Sequence, residues 1–526
     1  MTFSGTLLPY QPEAVDRMVD RRKMLVAYDL GLGKTVLTIA AIERLRDEGK
    51  ITGPGIIICL SSLKYQWAAQ IEKFTNGTAT PLVIDGTPKK RVQQYAEALD
   101  WGHSLVDYVI LNYEQVVNDW EYVSQLNRAF IVIDEATAIK SFRSKRSKHV
   151  KKLDSKYKFA LTGTPVENGR PEELYSIMQF VDPTVLGRFD LFDKTFIVRN
   201  SFGGVDRYRN LPTLHTTLAK ACVRKRQQDP DVAPYLPDAI TAEPILVYFN
   251  KATSDLYNHI SDDLLRDLDE ALSTFGSSFD IFDHYSGSDQ GGIMDELRGR
   301  IMSKLTCLRM LCDHPDLLKH SANIYNPLVG EGSAYAFDLK DMGMLDAPLK
   351  SVKIDVLKDY VDNFLSDYSG NKIVIFTSYV KMVDLIAEAL PYKSVKYTGR
   401  MNAKEKEKSK VTFQTEEDVR ILISSDAGGY GVDLPEANLL INYDLPWNAG
   451  LAVQRNGRIK RASSTWKHIV IQDILVYGSI EERQHALLQQ KTAVANAVVD
   501  GEGINERGGV NLTAGSLRSF LQSAIA

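Results

Sequence analysis

A chain of 526 residues with 44% apolar and 25% charged side chains is too long for one ordinary core and too apolar for disorder. The formal net charge of −4 excludes a uniformly basic nucleic-acid coat protein but leaves room for a local basic track. Four scattered cysteines, Cys59, Cys222, Cys307 and Cys312, make neither a paired zinc ribbon nor a disulfide framework. No apolar run approaches membrane-spanning length, and the opening MTFSGTLLPYQPEAV lacks a signal peptide's basic-then-apolar order. A reduced, cytoplasmic setting without a membrane partner is therefore expected.

In chain order, the first part carries the β-rich runs MLVAYD, GIIICL, YVILN, FIVID and KFALTG, each followed by a helical pattern. Near-continuous Ile/Val/Leu runs suit strands buried on both faces of a parallel sheet. Residues 166–345 read as mostly helical, as in PEELYSIMQFV and SDLYNHISDDLLRDLDEAL. Within them, 276–292 mixes Gly, Ser and Asp without helical period and predicts a mobile loop, and 320–348 predicts an irregular connection. A second strand set begins near residue 371: IVIF, SVKYTG, RILISS, NLLINYD and HIVIQDILV. The tail after about Val499 carries GEGINERGG and a short amphipathic helix around Leu517–Phe520. The expected fold class is α/β, with two parallel-sheet lobes. The expected boundaries are 1–240 for lobe one with the start of a helical insertion, 241–345 for insertion and linker, 346–496 for lobe two, and 497–526 for the tail.

The stretch YDLGLGKT, residues 28–35, lies where a strand should turn into a helix. Gly31, Leu32 and Gly33 then form a loop whose small residues let backbone N–H groups approach phosphate at the positive end of the helix. Lys34 would neutralise the β- and γ-phosphates of ATP, and the Thr35 hydroxyl would reach Mg²⁺. Tyr28, where a phosphate loop usually has its first glycine, is expected to end the strand. A second strand, IVIDEAT, ends in Asp134 and Glu135. Asp134 would hold Mg²⁺ and Glu135 would orient and deprotonate the attacking water.

Taken together, these motifs resemble those of superfamily-two helicases, in particular the sucrose-non-fermenting type of duplex-DNA translocase. The phosphate loop of that family also lacks the early glycine. LLPYQPEAV resembles its glutamine motif, with Gln11 near the adenine, and LSSLKYQW, ILNYEQV and LTGTPVENGRPEELYSIMQFVDP resemble the motifs that follow. In the second lobe, IVIFTSYV, SSDAGGYGVDLPEANLLINYDLPWN and QRNGRIKR resemble motifs four to six. The resemblance runs from about residue 7 to 490 and implies two RecA-like lobes with family-type helical insertions. It also implies an ATP- and Mg²⁺-dependent motor acting on duplex DNA through sequence-independent backbone contacts, in a compact bacterial or viral form.

The family pattern maps two arginine fingers onto Arg458 and Arg461, three apart and so on one helical face. Arg455 reads as an extra surface charge. Thr162, Gly163, Thr164, Gly431, Asp433 and Gln454 fall on motifs that couple the lobes. DNA phosphates would be met by Lys64, by Thr398, Gly399 and Arg400, and by Ser424 and Ser425. The basic run KSFRSKRSKHVKK, 140–152, reads equally as a solvated helix face or as DNA contact. The sequence departs from the family at Asp426, where a basic residue often precedes AGG, and at Lys406, which stands for the usual arginine. The run from Lys460 through Arg461, Ala462, Ser463 and Ser464 replaces the usual RIGQ ending.

A strand-separating DNA or RNA helicase is the alternative within enzymes, and an ATP-gated scaffold that does not hydrolyse is the alternative outside them. The long helical insertion favours the duplex translocase, and the complete set of charged residues disfavours the scaffold. Phosphate-release and nucleotide-binding assays separate the roles. Lys34→Ala is expected to abolish turnover, and Glu135→Gln to bind ATP without hydrolysing it. Normal turnover in Glu135→Gln would require a different base.

Overall fold

The computed structural model describes residues 3–100, 105–200, 204–276, 279–281, 292–426, 432–503, 507–508 and 512–525. Its centre is two parallel sheets. The first runs in the order Thr80–Val83, Val106–Asn112, Gly55–Cys59, Ile131–Asp134, Lys158–Leu161, Lys23–Tyr28 and Cys222–Lys225. Ile56, Ile58, Ile131 and Ile133 point into one apolar core, and Ile57, Val132, Val26 and Leu161 into the other. The uninterrupted apolar runs thus serve two faces at once. The five expected strands are present; Thr80–Val83 and Cys222–Lys225 join them at the two edges.

The second sheet runs in the order Asp238–Thr241, His468–Val476, Leu439–Asn442, Ile373–Thr377, Ile421–Ser425 and Ser394–Tyr397, with Ile245–Val247 also paired to His468–Val476. The five strands expected after residue 371 are all there. The two earlier strands correct the domain boundary: 240 falls inside a strand of the second sheet. Asp238 and Ile240 pair with His468 and Val470, so the chain enters the second lobe before the helical insertion begins.

The insertion is not a separately packed unit. Its long helices, Lys251–Phe275 and Ile293–Asp313, place Leu256, Ile260, Leu264, Ile301 and Leu305 in the same core as Ile373, Ile375 and Ile441. The connection expected to be irregular holds the end of the helix Pro315–Asn323 and the whole of Ala334–Asp341, the latter started by the Ser333 side chain. In the stretch expected to be a mobile loop, Phe279 and Ile281 are buried and Asp280 pairs with Arg170; residues 277–278 and 282–291 lie outside the described set. The tail helix extends over Ala514–Ile525 and buries Leu517 and Leu521 in the second-lobe core.

One helix ties the lobes together. Ile480–Val499 buries Ile480 and Leu487 in the second-lobe core and Val494, Ala497 and Val498 in a first-lobe core. Just beyond it, Asp500 accepts from Arg224 of the first sheet's edge strand at 2.7 Å. Both sheets thereby present their carboxyl edges to a common cleft, where open α/β sheets bind ligands.

Beneath the second sheet, Lys353 is fully buried and bridges Asp313 at 3.0 Å and Glu481 at 2.5 Å. Burial alone would weaken its hold on the proton, but the Glu481 and Asp313 carboxylates outweigh burial and raise it. Lys353→Ala strands two buried carboxylates and is expected to cost about 3–5 kcal/mol of stability. Urea unfolding measures it; an unchanged midpoint would reject a role for this bridge.

Candidate functional site

The strand Lys23–Tyr28 ends at Tyr28, whose hydroxyl donates to Tyr10 O at 3.0 Å, away from the cleft. The chain then turns through Gly31 and Gly33, both at positive φ of 80° and 78°, where a side chain would be strained. The helix Lys34–Asp47 begins directly after them, at the strand-to-helix turn that the sequence predicts. Gln11 fixes this loop by donating to Leu32 O at 3.0 Å, while its own Oε1 accepts from Leu8 N. Lys34 Nζ donates to the Tyr28 and Asp29 carbonyls at 2.8 and 3.2 Å. Burial weakens its hold on the proton, opposed by Glu135 and Asp134.

The strand Ile131–Asp134, separated from Lys23–Tyr28 by Lys158–Leu161, brings two carboxylates to the same edge. Asp134 is buried, accepts from the Trp67 indole at 2.8 Å and from Glu135 N at 2.9 Å, and is held by burial above the usual carboxylate range. Trp67 went unrecognised as a site residue in the sequence, because an aromatic on the helix Lys64–Phe74 reads as core. Glu135 sits at φ 49° and ψ 59°, a left-handed conformation unusual for a glutamate. Such strain, on the order of 1–3 kcal/mol, concentrates at functional sites. Burial first, and Asp134 second, push Glu135 up, and its buried Oε2 has no hydrogen-bond partner among the described residues.

The second lobe closes the cavity. Arg458 and Arg461 line it with Gly31, Lys34, Thr35, Asp134 and Glu135 around a volume of about 580 Å³. Arg461 lies so near Gly31 that a Cβ there would meet its Nη1 at 2.9 Å. Asp433 holds Arg461 through a 2.6 Å contact to Nε, and the buried Nη1 finds no partner among the described residues. Arg458 Nη1 donates to Val432 O at 3.4 Å. The two arginines are not on a helical face as expected: the helix Ala449–Asn456 ends before them, at Gly457. Gly457 is packed closely against Leu30, and both arginines reach the cavity from the turn that follows the helix.

Leu30 also packs against Gly163, and Thr162 Oγ1 accepts from Thr164 N at 3.1 Å, so this motif abuts the phosphate loop directly. Gln454 and Thr164 are buried, with side-chain oxygens that find no partner among the described residues. Gly431 lies outside the described residues. A contact missed in the sequence is Glu167, which pairs with Lys140 and accepts from Asn448 Nδ2 at 3.1 Å and, through its carbonyl, from Gly450 N at 3.1 Å. These bonds join the two lobes beside the cavity.

The expected DNA contacts divide. Lys64 requires correction: it is 1% exposed, and its ammonium is occupied by Ile84 O at 2.8 Å and Asp85 at 2.7 Å, because its helix start folds it beneath the following strand. Ser424 and Ser425 are also buried, and the Ser424 hydroxyl donates to Tyr397 O. Thr398 is buried at its side chain, whereas Gly399 and Arg400 are exposed. Lys406 stands over the Tyr397 ring at 5.7 Å. In the basic run, only Lys145–Val150 is helical; Lys140 and Lys151 are tied to Glu167 and Ser176, while Arg143, Lys145, Lys148 and Lys152 face solvent. Arg455 is the opposite of the expected surface charge: it is buried and bonded to Asp426 and Asp444.

Residues 10–317 match the family described as the SNF2-related domain, and 352–463 match the helicase conserved C-terminal domain. The chain is 24% identical to YwqA of Bacillus subtilis over 95% of its own length and 50% of that protein's. It is 26% identical to the human DNA repair and recombination protein RAD54-like, over 96% of this chain and 68% of that one. The chain spans about half the length of curated relatives such as YwqA. The Hef helicase domain of Pyrococcus furiosus shares the fold, with a TM-score of 0.50 at 16% identity over 91% of this chain and 97% of that one.

Arg461 projects into the cavity from the lobe opposite the phosphate loop, so its removal should touch turnover far more than binding. Arg461→Ala is expected to lower the ATP hydrolysis rate by about 10³-fold or more, with nucleotide affinity changed only a few-fold. Single-turnover phosphate release beside equilibrium nucleotide binding reads the split; an unchanged rate would exclude a finger role.

Proposed function

Because the chain belongs to the SNF2-related family, we propose that it is an ATP-dependent motor that hydrolyses ATP between its lobes and moves along duplex DNA. The observation that carries this reading is the convergence of Lys34, Asp134 and Glu135 from one lobe with Arg458 and Arg461 from the other on one cavity. A triphosphate needs positive charge from both ends, and neither lobe alone offers it.

The residues suit Mg²⁺: the Thr35 hydroxyl and the Asp134 carboxylate are the oxygen donors of a hard cation, and Trp67 fixes the orientation of the second. Bound there, the ion would neutralise phosphate charge. The rest of the chemistry belongs to the chain. The glycine loop and Lys34 grip the phosphates. Glu135, strained and buried with an unpartnered oxygen, accepts a proton from the attacking water, and its raised proton affinity suits a base working near neutrality. Arg458 and Arg461 balance the charge that builds on the transferred phosphoryl group.

Hydrolysis then requires a closed cleft. ATP favours closure and product release favours opening, because the arginines gain their partner only when the lobes meet. A duplex held by its phosphates across both lobes, with Gly399 and Arg400 among the exposed candidates, would be carried stepwise by that cycle. The relationship to a DNA repair and recombination protein supports DNA as the track.

ATP turnover measured with duplex DNA, single-stranded DNA and RNA tests the reading, and displacement of a third strand from a triplex tests movement. Duplex DNA is expected to stimulate most and ATP to drive third-strand release. Clear preference for RNA would overturn the duplex assignment.

A further inference from the structure

Arg455 has no place in ATP chemistry, yet it is 2% exposed and uses all its guanidinium nitrogens. Its Nε donates to Asp426 at 2.6 Å, Nη1 to Asp444 O at 2.5 Å, and Nη2 to Ser378 Oγ at 3.2 Å and Asp444 Oδ1 at 3.4 Å. Asp444 in turn accepts from Thr377 Oγ1 at 2.5 Å and from Ser378 N at 2.8 Å. Arg309 stands 4.0 Å from the same carboxylate. One side chain therefore gathers the carboxyl ends of three adjacent parallel strands: Ile373–Thr377, Ile421–Ser425 and Leu439–Asn442.

Arg455 sits on the helix Ala449–Asn456, immediately before the turn that delivers Arg458 and Arg461. The strand ends it holds carry Ser378 and Asp426, on the two second-lobe segments that resemble the family's motifs four and five. Asp426 reverses the sign often found at its position in the family, and Arg455 supplies the opposite sign at bonding distance. The departure at Asp426 and the extra basic residue Arg455 are thus one ion pair in space, which neither position reveals alone. A guanidinium is suited to such a hub because its planar fork meets several acceptors in fixed directions.

We propose that Arg455 is a positioning residue that locks the strand ends of the second lobe to the arginine-finger turn, acting through Asp426 and Asp444, so that DNA engagement and ATP turnover move together. This rests on the motor reading above. The lock transmits because its members share one partner: breaking it leaves the buried Asp444 and the partly exposed Asp426 without the guanidinium that joins them.

The test is two single variants and one charge-swapped double variant, read as duplex-DNA stimulation of ATP turnover and as the DNA concentration giving half stimulation, with melting temperature in parallel. Arg455→Gln and Asp426→Asn are each expected to lower the stimulation ratio about tenfold, and Asp426→Arg combined with Arg455→Ala, which returns a guanidinium to the same space from the other side, to recover most of it. Should Arg455→Gln fail to fold, Asp426→Asn carries the same expectation, being isosteric and at a partly exposed carboxylate. Full stimulation in both single variants, or a folded swapped double variant no better stimulated than either single, would overturn the proposal. Absence of any duplex stimulation in the unaltered protein would instead overturn the motor reading.

Discussion

The phosphate loop must hold its shape with almost no side chains of its own, and the surrounding structure is arranged to meet that demand. Its carbonyls are taken up from several directions: Leu32 O by Gln11, Leu30 O by Gln227, and Tyr28 and Asp29 O by Lys34. Asp29 is anchored by Arg224 at 2.5 Å and by Gln227 N at 2.9 Å. With the acceptors occupied, the loop is preorganised with its donors and its lysine for an anion, and little ordering remains when a phosphate arrives.

Arg224 extends this constraint across the molecule. It binds Asp29 in the loop and Asp500 just past the lobe-spanning helix, so the phosphate loop and the tie between lobes share one guanidinium. Leu30 adds a packing version of the same link, touching Gly163 in its own lobe and Gly457 in the other. Glycine at both places lets backbone meet side chain without a gap. Interdigitated contacts of this kind favour discrete open and closed arrangements over gradual ones. The site is consequently a property of the cleft rather than of either sheet.

The second lobe shows how a buried polar network organises a surface meant for a polymer. Ser424, Asp444 and Arg455 lie buried below the carboxyl edge, engaged with one another or with backbone, while Gly399 and Arg400 are exposed. The buried layer sets where the exposed layer points. In the first lobe, Lys64 belongs to the buried layer as well, pinning its helix start to the strand before Asp85. A basic residue in a nucleic-acid motif is therefore as apt to build the edge as to touch the ligand.

Much of this was legible in the sequence, because local patterns report local physics. The Ile/Val runs specified strands buried on two faces, the GLGKT turn specified a glycine loop at a helix start, and IVIDE specified carboxylates at a strand end. Those features depend on residues within one turn or one strand of each other. The strands Asp238–Thr241 and Ile245–Val247 escaped because edge strands alternate weakly and borrow their order from His468–Val476, more than two hundred residues away. The helical face expected for Arg458 and Arg461 failed because the helix Ala449–Asn456 stops short of them, at a glycine packed against Leu30 of the other lobe. The fates of Lys64 and Arg455 were equally hidden: a basic side chain looks the same in sequence whether it meets water or a buried carboxylate. By itself, then, the sequence determined the chemistry available and the strands that carry it. Only the tertiary structure decided which charges are spent inside the protein and which are left for a ligand, since that choice depends on partners brought together from distant parts of the chain.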